Sequence, residues 1–146
     1  MSCLNKTFFV VEDHTVTNIG LVQLVEQKTK LKCAGSAFSK SEAKEKLKAL
    51  ASDLTETDSK TSGPPELLIL DLFLGEESGL DLLREVRTDY PEIKILVYSM
   101  YAKPGILSLV LENGAHGFVE KSAPEPILIT AVKSILAGET FVQQNL

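Results

Sequence analysis

Three carboxylates, one hydroxyl and one amine each stand at or just past the end of a short apolar run. Glu12 and Asp13 follow Thr7 to Val11, Asp71 follows Leu67 to Leu70, Ser99 follows Ile93 to Tyr98, and Lys121 follows Gly117 to Glu120. Taken singly, each has an ordinary explanation, because acids and small polar residues often start the turn after a strand. Together they offer one coherent chemistry. Clustered carboxylates repel one another and need a cation, and oxygen ligands with room for water suit Mg2+, which also touches substrate phosphate. An Asp carboxylate is a competent nucleophile towards phosphorus and gives an aspartyl phosphate. In-line phosphoryl transfer needs positioning and charge neutralisation more than acid–base help. A cation and Lys121 would supply the charge, and the Ser99 hydroxyl would donate to a phosphoryl oxygen.

For this chemistry to operate, four strand ends must meet at one edge of a sheet. The apolar runs Thr7 to Val11, Leu31 to Ala37, Leu67 to Leu70, Ile93 to Tyr98 and Gly117 to Glu120 read as strands. Between and after them lie helical patterns. The first runs to about Lys28 with Ile19, Val22, Leu24 and Val25 marking its face, and others span Ser39 to Ala51 and Ser78 to Thr88. Two more cover about Pro104 to Glu112 and about Glu125 to Ala137, and a serine at 39 or 41 is placed to cap the second helix. The run Leu67 to Leu70 shows no polar alternation, as expected of a parallel sheet covered on both faces. Strand–helix alternation gives an α/β fold, a doubly wound five-stranded parallel sheet with helices on both faces. Such sheets bind ligands beyond the carboxyl ends of their strands, which is where the five chemical residues fall. The polar stretch Asp53 to Pro65, with its Gly-Pro-Pro stop, reads as an exposed loop and as an insertion rather than a functional lid.

Bulk properties narrow the function further. A length of 146 residues fits one domain, and 44% hydrophobic with 24% charged residues is ordinary globular composition. A net charge of −5 argues against nucleic-acid binding by this segment itself. The basic residues from Lys40 to Lys48 interleave with Glu42 and Glu45 and read as a solvated helix face. Cys3 and Cys33 lack metal-ligand spacing and read as reduced thiols. The N-terminal apolar run is too short for a signal peptide or a membrane span, so a cytoplasmic location is expected.

The blocks VVEDH, LLILDLFLGEESGLDLLREVR, ILVYSMY and GAHGFVEKS, in that order over almost the whole chain, resemble those of bacterial two-component response-regulator receiver domains, which have a flavodoxin-like fold. The resemblance implies that Glu12, Asp13, Asp71 and the backbone carbonyl of Phe73 hold Mg2+. It implies that Asp71 accepts a phosphoryl group from a sensor histidine kinase or a small-molecule phosphodonor, and that Ser99 and Lys121 bind the phosphoryl oxygens. Phe118 stands at the family's aromatic switch position, and Gly79 matches the glycine of the loop after the phosphorylation site. The ending AVKSILAGE, with the Lys121-Ser122 pair, resembles the NarL/LuxR-like branch, whose receivers precede a DNA-binding domain. The expected organisation is a receiver over residues 1–139 and the start of a linker over 140–146, with DNA reached only through a domain outside this chain and a homodimer as a further partner.

Some positions depart from the family pattern. Gly75 replaces a usual proline, which suggests a looser loop after Asp71. Ser122 replaces another proline, after a peptide bond that the family often holds cis. Met100 replaces a small residue. Met100 and Phe73 either fill gaps or crowd the pocket mouth and lengthen the phosphorylated lifetime. His14 reads as the start of the first helix and His116 as part of a Gly-Ala-His-Gly turn; the chemistry needs neither. Two other readings compete with a phosphorylated switch. An Asp-nucleophile phosphatase would carry a second Asp where Phe73 stands. A degenerate receiver would serve only for docking or dimerisation. No turnover enzyme is expected, only Mg-dependent phosphorylation and dephosphorylation of the chain's own aspartate.

Overall fold

The computed structural model describes residues 6–52, 63–100 and 104–143; Cys3 and most of the Asp53–Pro65 stretch lie outside them. In chain order the elements are β1 (Thr7–Val11), α1 (Thr15–Lys28), β2 (Lys32–Ala37), α2 (Lys40–Ser52), β3 (Leu67–Leu70), β4 (Phe73–Leu74) and β5 (Glu77–Ser78). There follow α3 (Gly79–Asp89), β6 (Lys94–Ser99), α4 (Pro104–Glu112), β7 (Gly117–Glu120), α5 (Glu125–Leu136) and β8 (Phe141–Val142). The main sheet has the order β2-β1-β3-β6-β7-β8, and all its neighbours run parallel. The order reverses at β1, which opens a crevice between the ends of β1 and β3.

Period-2 alternation along the strands divides the core into two layers. Phe9, Val11, Leu68, Leu70, Ile95, Val97 and Phe118 face α2, α3 and α4, where Leu47, Leu82, Leu83, Val86 and Val110 complete the packing. Phe8, Val10, Leu67, Ile69, Leu96 and Val119 face the other way, onto Leu21 and Val25 of α1 and Leu128, Val132 and Ile135 of α5. Both faces being covered, β1 and β3 are fully buried, as the unbroken Leu67–Leu70 run predicts.

The doubly wound fold is as expected, but the sheet has six strands instead of five. The sixth, β8, lies in residues taken as the start of a linker. Its backbone continues the ladder on β7: Phe141 N–H donates to His116 O and Gln143 N–H to Phe118 O, both at 3.1 Å. The Gln143 side chain then accepts from Glu120 N–H at 2.7 Å. Two residues after a Gly138 turn are too few to show a strand period. The cap expected of α2 is present, Ser39 Oγ accepting from Glu42 N–H at 3.1 Å, and Ser78 Oγ accepts from Asp81 N–H at 3.4 Å at the start of α3. On α1, Val25 is buried as expected, but Ile19 is exposed, and Asn18 and Leu21 turn inward. The stretch expected as a loop rejoins the fold at Gly63, whose N–H donates to Leu50 O at 3.1 Å in the last turns of α2.

Candidate functional site

Backbone hydrogen bonds at the strand ends tie the chemical residues to the sheet before their side chains meet. Glu12 N–H donates to Ala37 O at 3.1 Å, Asp71 N–H to Val11 O at 3.0 Å, and Lys121 N–H to Ser99 O at 2.8 Å. Each residue is thus held by the neighbouring strand. The side chains then converge. Lys121 Nζ lies 2.6 Å from Glu12 Oε1 and 2.9 Å from Asp71 Oδ2, bridging two carboxylates that are almost wholly buried. Asp71 Oδ1 accepts the Phe73 N–H at 3.2 Å. Ser99 closes the site at the end of β6 and is buried.

Burial and pairing compete here. For Asp71, burial is the largest influence and raises its pKa, helped by the negative charge of Glu12 and opposed by hydrogen bonds from Lys121 and Phe73. For Glu12, burial again is the largest influence, but bonds from Lys121 and His14 outweigh it and hold the carboxyl below its usual range. The Lys121 ammonium is penalised by burial and yet held above its usual range by its two carboxylate partners. Two carboxylates around a single ammonium, with Asp13 beside them, are an acid-rich arrangement with capacity for a further cation.

The donor set suits one. One ligating atom each from Glu12, Asp13, His14 and Asp71 can be chosen so that all lie within 4.8 Å of one another. Oxygens predominate, as a hard divalent ion requires. The structure thus brings Glu12, Asp13, Asp71, Ser99 and Lys121 to the strand-end edge. Phe118 is fully buried in the layer under α2, α3 and α4. Phe73 and Met100, which follow Asp71 and Ser99 closely in the chain, are both substantially exposed, at 44% and 56%.

One expectation about the surrounding loops changes. Gly75 is not simply a loosened residue. Phe73 and Leu74 pair antiparallel with Ser78 and Glu77, so Gly75 is the first central residue of a two-residue hairpin, at φ +65°. The primed turns that close such hairpins require a positive φ there, which proline cannot adopt. After Lys121, where the family's proline is replaced by Ser122, no described peptide bond is cis, in keeping with the cost of a cis bond without proline. Gly79 is demanding for another reason, since a β-carbon on it would stand 2.3 Å from Asp71 O and 2.6 Å from Leu72 Cα.

Two site residues were not anticipated. Asn18 is buried, and its Nδ2 donates to Glu12 O at 3.0 Å and Ala37 O at 3.1 Å, joining the ends of β1 and β2. A polar residue inside an apolar helix pattern was the available signal. His14, set aside from the sequence, places Nδ1 3.0 Å from Glu12 Oε2 and 3.3 Å from Asp13 Oδ1. Its position beside two acids was visible, but its ring direction was not.

Comparison with known proteins agrees with this arrangement. Residues 8–133 match the family model described as the response regulator receiver domain. The oxygen regulatory protein NreC of Staphylococcus haemolyticus is 30% identical over 138 residues, which are 94% of this chain and 58% of that protein. The chain therefore spans less than two thirds of the length of such curated relatives. A LuxR-family two-component response regulator from Aurantimonas sp. SI85-9A1 superposes with a TM-score of 0.80 at 23% identity, covering 94% of this chain and 89% of that one. The isolated REC domain of RcsB from Salmonella enterica serovar Typhimurium, solved with phosphomimetic BeF3−, gives a TM-score of 0.75 at 24% identity, covering 96% of this chain and 94% of that one. A structure of two RcsB dimers bound to two parallel DNAs gives 0.80 at 22% identity, covering 96% of this chain and 64% of that one. Among the described residues, no helix is long and apolar enough to cross a membrane.

Proposed function

This chain belongs to the response regulator receiver domain family, and on that footing we propose that Asp71 accepts the phosphoryl group that controls it. The single observation carrying this reading is the Lys121 bridge between Asp71 Oδ2 and Glu12 Oε1. It holds a buried nucleophilic carboxylate against an ammonium at the strand ends. Glu12, Asp13, Asp71 and the Phe73 carbonyl would hold Mg2+, which when bound draws charge from the phosphoryl oxygens. A carboxylate oxygen of Asp71 forms the new P–O bond as the donor's P–N bond (phosphohistidine) or P–O bond (acyl phosphate) breaks, and the donor leaves with that electron pair. Lys121 and Ser99 then take the phosphoryl oxygens, and Phe118 reports the change to the α4–β7–α5 face. The chain's own chemistry is confined to forming and losing this aspartyl phosphate.

The switched output is DNA binding by a further domain, in the manner of the NarL/LuxR-like branch. The support is the similarity to NreC, of which this chain covers 58%, and the DNA-bound dimers seen for RcsB. A sensor histidine kinase is the donor, the active form is a homodimer, and the protein works in the cytoplasm. Receiver structure runs up to residue 139, and the segment from 140 leads to the output domain, after lending β8 to the sheet. Phe73 and Met100 shield the acyl phosphate from water.

Incubation with phosphoramidate and Mg2+ followed by intact mass tests the reading. A single phosphate adduct, absent in Asp71→Asn, supports it. No adduct with any donor favours a docking module instead, and steady turnover of a phosphoester favours a phosphatase.

A further inference from the structure

His14 is the N-cap residue of α1, yet its side chain makes no capping hydrogen bond. The usual N-cap residues turn a side-chain oxygen onto the first free N–H groups of the helix. Here the ring turns the other way, back over the carboxylates. Nδ1 stands 3.0 Å from Glu12 Oε2 and 3.3 Å from Asp13 Oδ1, while the backbone N–H of His14 donates to the same Glu12 Oε2 at 3.0 Å. The backbone bond alone would fix Glu12. The ring is therefore an additional group brought to an already ordered site, and it is 65% exposed, so no core packing forces it there.

Adjacent ligands on an octahedral ion with bonds of about 2.1 Å are separated by roughly 3 Å. The two Nδ1–oxygen separations are of that size, and the ligating atoms of Glu12, Asp13, His14 and Asp71 fall within 4.8 Å of one another. A neutral imidazole offers a lone pair at Nδ1 when its proton sits on Nε2. Oxygen-only sites favour Mg2+, whereas a site that adds imidazole nitrogen favours first-row transition ions, for which nitrogen is a good donor.

We propose that His14 is a side-chain ligand of the cation at this site and makes it select a first-row divalent ion, Mn2+ being the nearest replacement, over Mg2+. The inference rests on the cation reading given above and adds to it the fourth side chain and the metal preference. A purely electrostatic role, in which the ring caps the acids and leaves when a cation enters, is the competing account.

Pulsed electron paramagnetic resonance on the Mn2+-loaded chain separates the two accounts, because it detects nitrogen bonded to the ion. The expected result is a histidine 14N modulation that survives His116→Asn and is lost in His14→Ala. With it, the ratio of Mn2+ to Mg2+ affinity falls by about tenfold or more in His14→Ala, the scale on which even outer partners of metal sites act. His14→Ala is an exposed change at a cap the side chain does not make, so the fold is retained. Saturable Mn2+ binding that shows no histidine nitrogen, or an affinity ratio unchanged in His14→Ala, overturns the role of His14 and leaves the cation site standing. No saturable Mn2+ or Mg2+ binding, or binding indifferent to Asp13→Asn and Asp71→Asn, overturns both.

Discussion

A β-carbon on Gly79 would stand 2.3 Å from the carbonyl oxygen of Asp71, a separation that real β-carbons do not reach. The first residue of α3 is pressed directly onto the backbone of Asp71, and Gly79 N–H donates to Leu72 O at 2.8 Å across that contact. The approach sets the path of the chain from Asp71 through the β4–β5 hairpin, and so the position of the Phe73 N–H that holds Asp71 Oδ1.

Gly79→Ala is therefore expected to cost about 1–3 kcal/mol, the scale of overpacking against backbone that has no free space, and to slow phosphorylation of Asp71. Gly20→Ala is the control. Its β-carbon meets nothing within 4 Å, so filling an exposed helix position should stabilise the chain by about 0.5–1 kcal/mol. Urea unfolding of both variants checks the pair, and similar shifts in the two would contradict the contact.

Asn18→Ala removes the buried amide that serves both Glu12 O and Ala37 O. Ala37 O keeps the Glu12 N–H, but Glu12 O loses this donor, which should cost about 1–3 kcal/mol. Stabilisation by added Mg2+ should shrink as well, because the end of β1 that carries Glu12 loses one of its ties to α1. Denaturation with and without Mg2+ measures both effects, and an unchanged Mg2+ increment would limit Asn18 to a packing role.

Histidine 116 gives the clearest pH dependence. Its Nδ1 accepts the Ile95 N–H at 3.0 Å, and burial first, then Arg87 and Lys94, holds its pKa below the ordinary histidine value. A histidine that is harder to protonate folded than unfolded contributes full stability above its unfolded pKa. That contribution is lost as the pH falls from the ordinary value towards the folded one. His116→Asn keeps an acceptor and cannot titrate, so it should flatten the decline in stability below neutral pH. His116→Leu should cost about 1–3 kcal/mol above neutral pH, where Ile95 N–H is left without its acceptor, and less in acid, where the protonated wild-type ring no longer accepts that bond. An acid slope identical in wild type and His116→Asn would refute the assignment.

Much of the site was legible because apolar runs end abruptly in polar residues. Leu70 gives way to Asp71 and Val11 to Glu12, and the parallel pairing of β1 with β3 brings both to one edge. Lys121 was found in the same way. The rest depended on features without a sequence period. Strands β4, β5 and β8 have two residues each, too few for alternation to show. The α1 face was misread at Ile19 because apolar spacing cannot reveal that a polar Asn18 turns inward to serve two carbonyls. His14 was dismissed as a helix start, which it is, but cap position does not determine where a ring points.

Met100 and Phe73 are exposed, next to Ser99 and near Asp71 in the chain. If they shield the acyl phosphate, Met100→Ala should shorten its lifetime, and Phe73→Ala should do the same. Following loss of the phosphate adduct by mass after removing the donor tests this. Decay at the wild-type rate in both variants would show that the two side chains only fill space.

The central claim is that phosphorus becomes bonded to Asp71. Borohydride reduces an acyl phosphate to an alcohol and leaves a free carboxylate untouched, so it marks the phosphorylated residue permanently. Treating the chain with phosphoramidate and Mg2+, reducing it, and sequencing its peptides by mass spectrometry should show homoserine in place of the aspartate at position 71, with Asp13 and Glu12 unmodified. Homoserine at position 13, or none at 71 in a chain that carries the phosphate mass, would contradict the account.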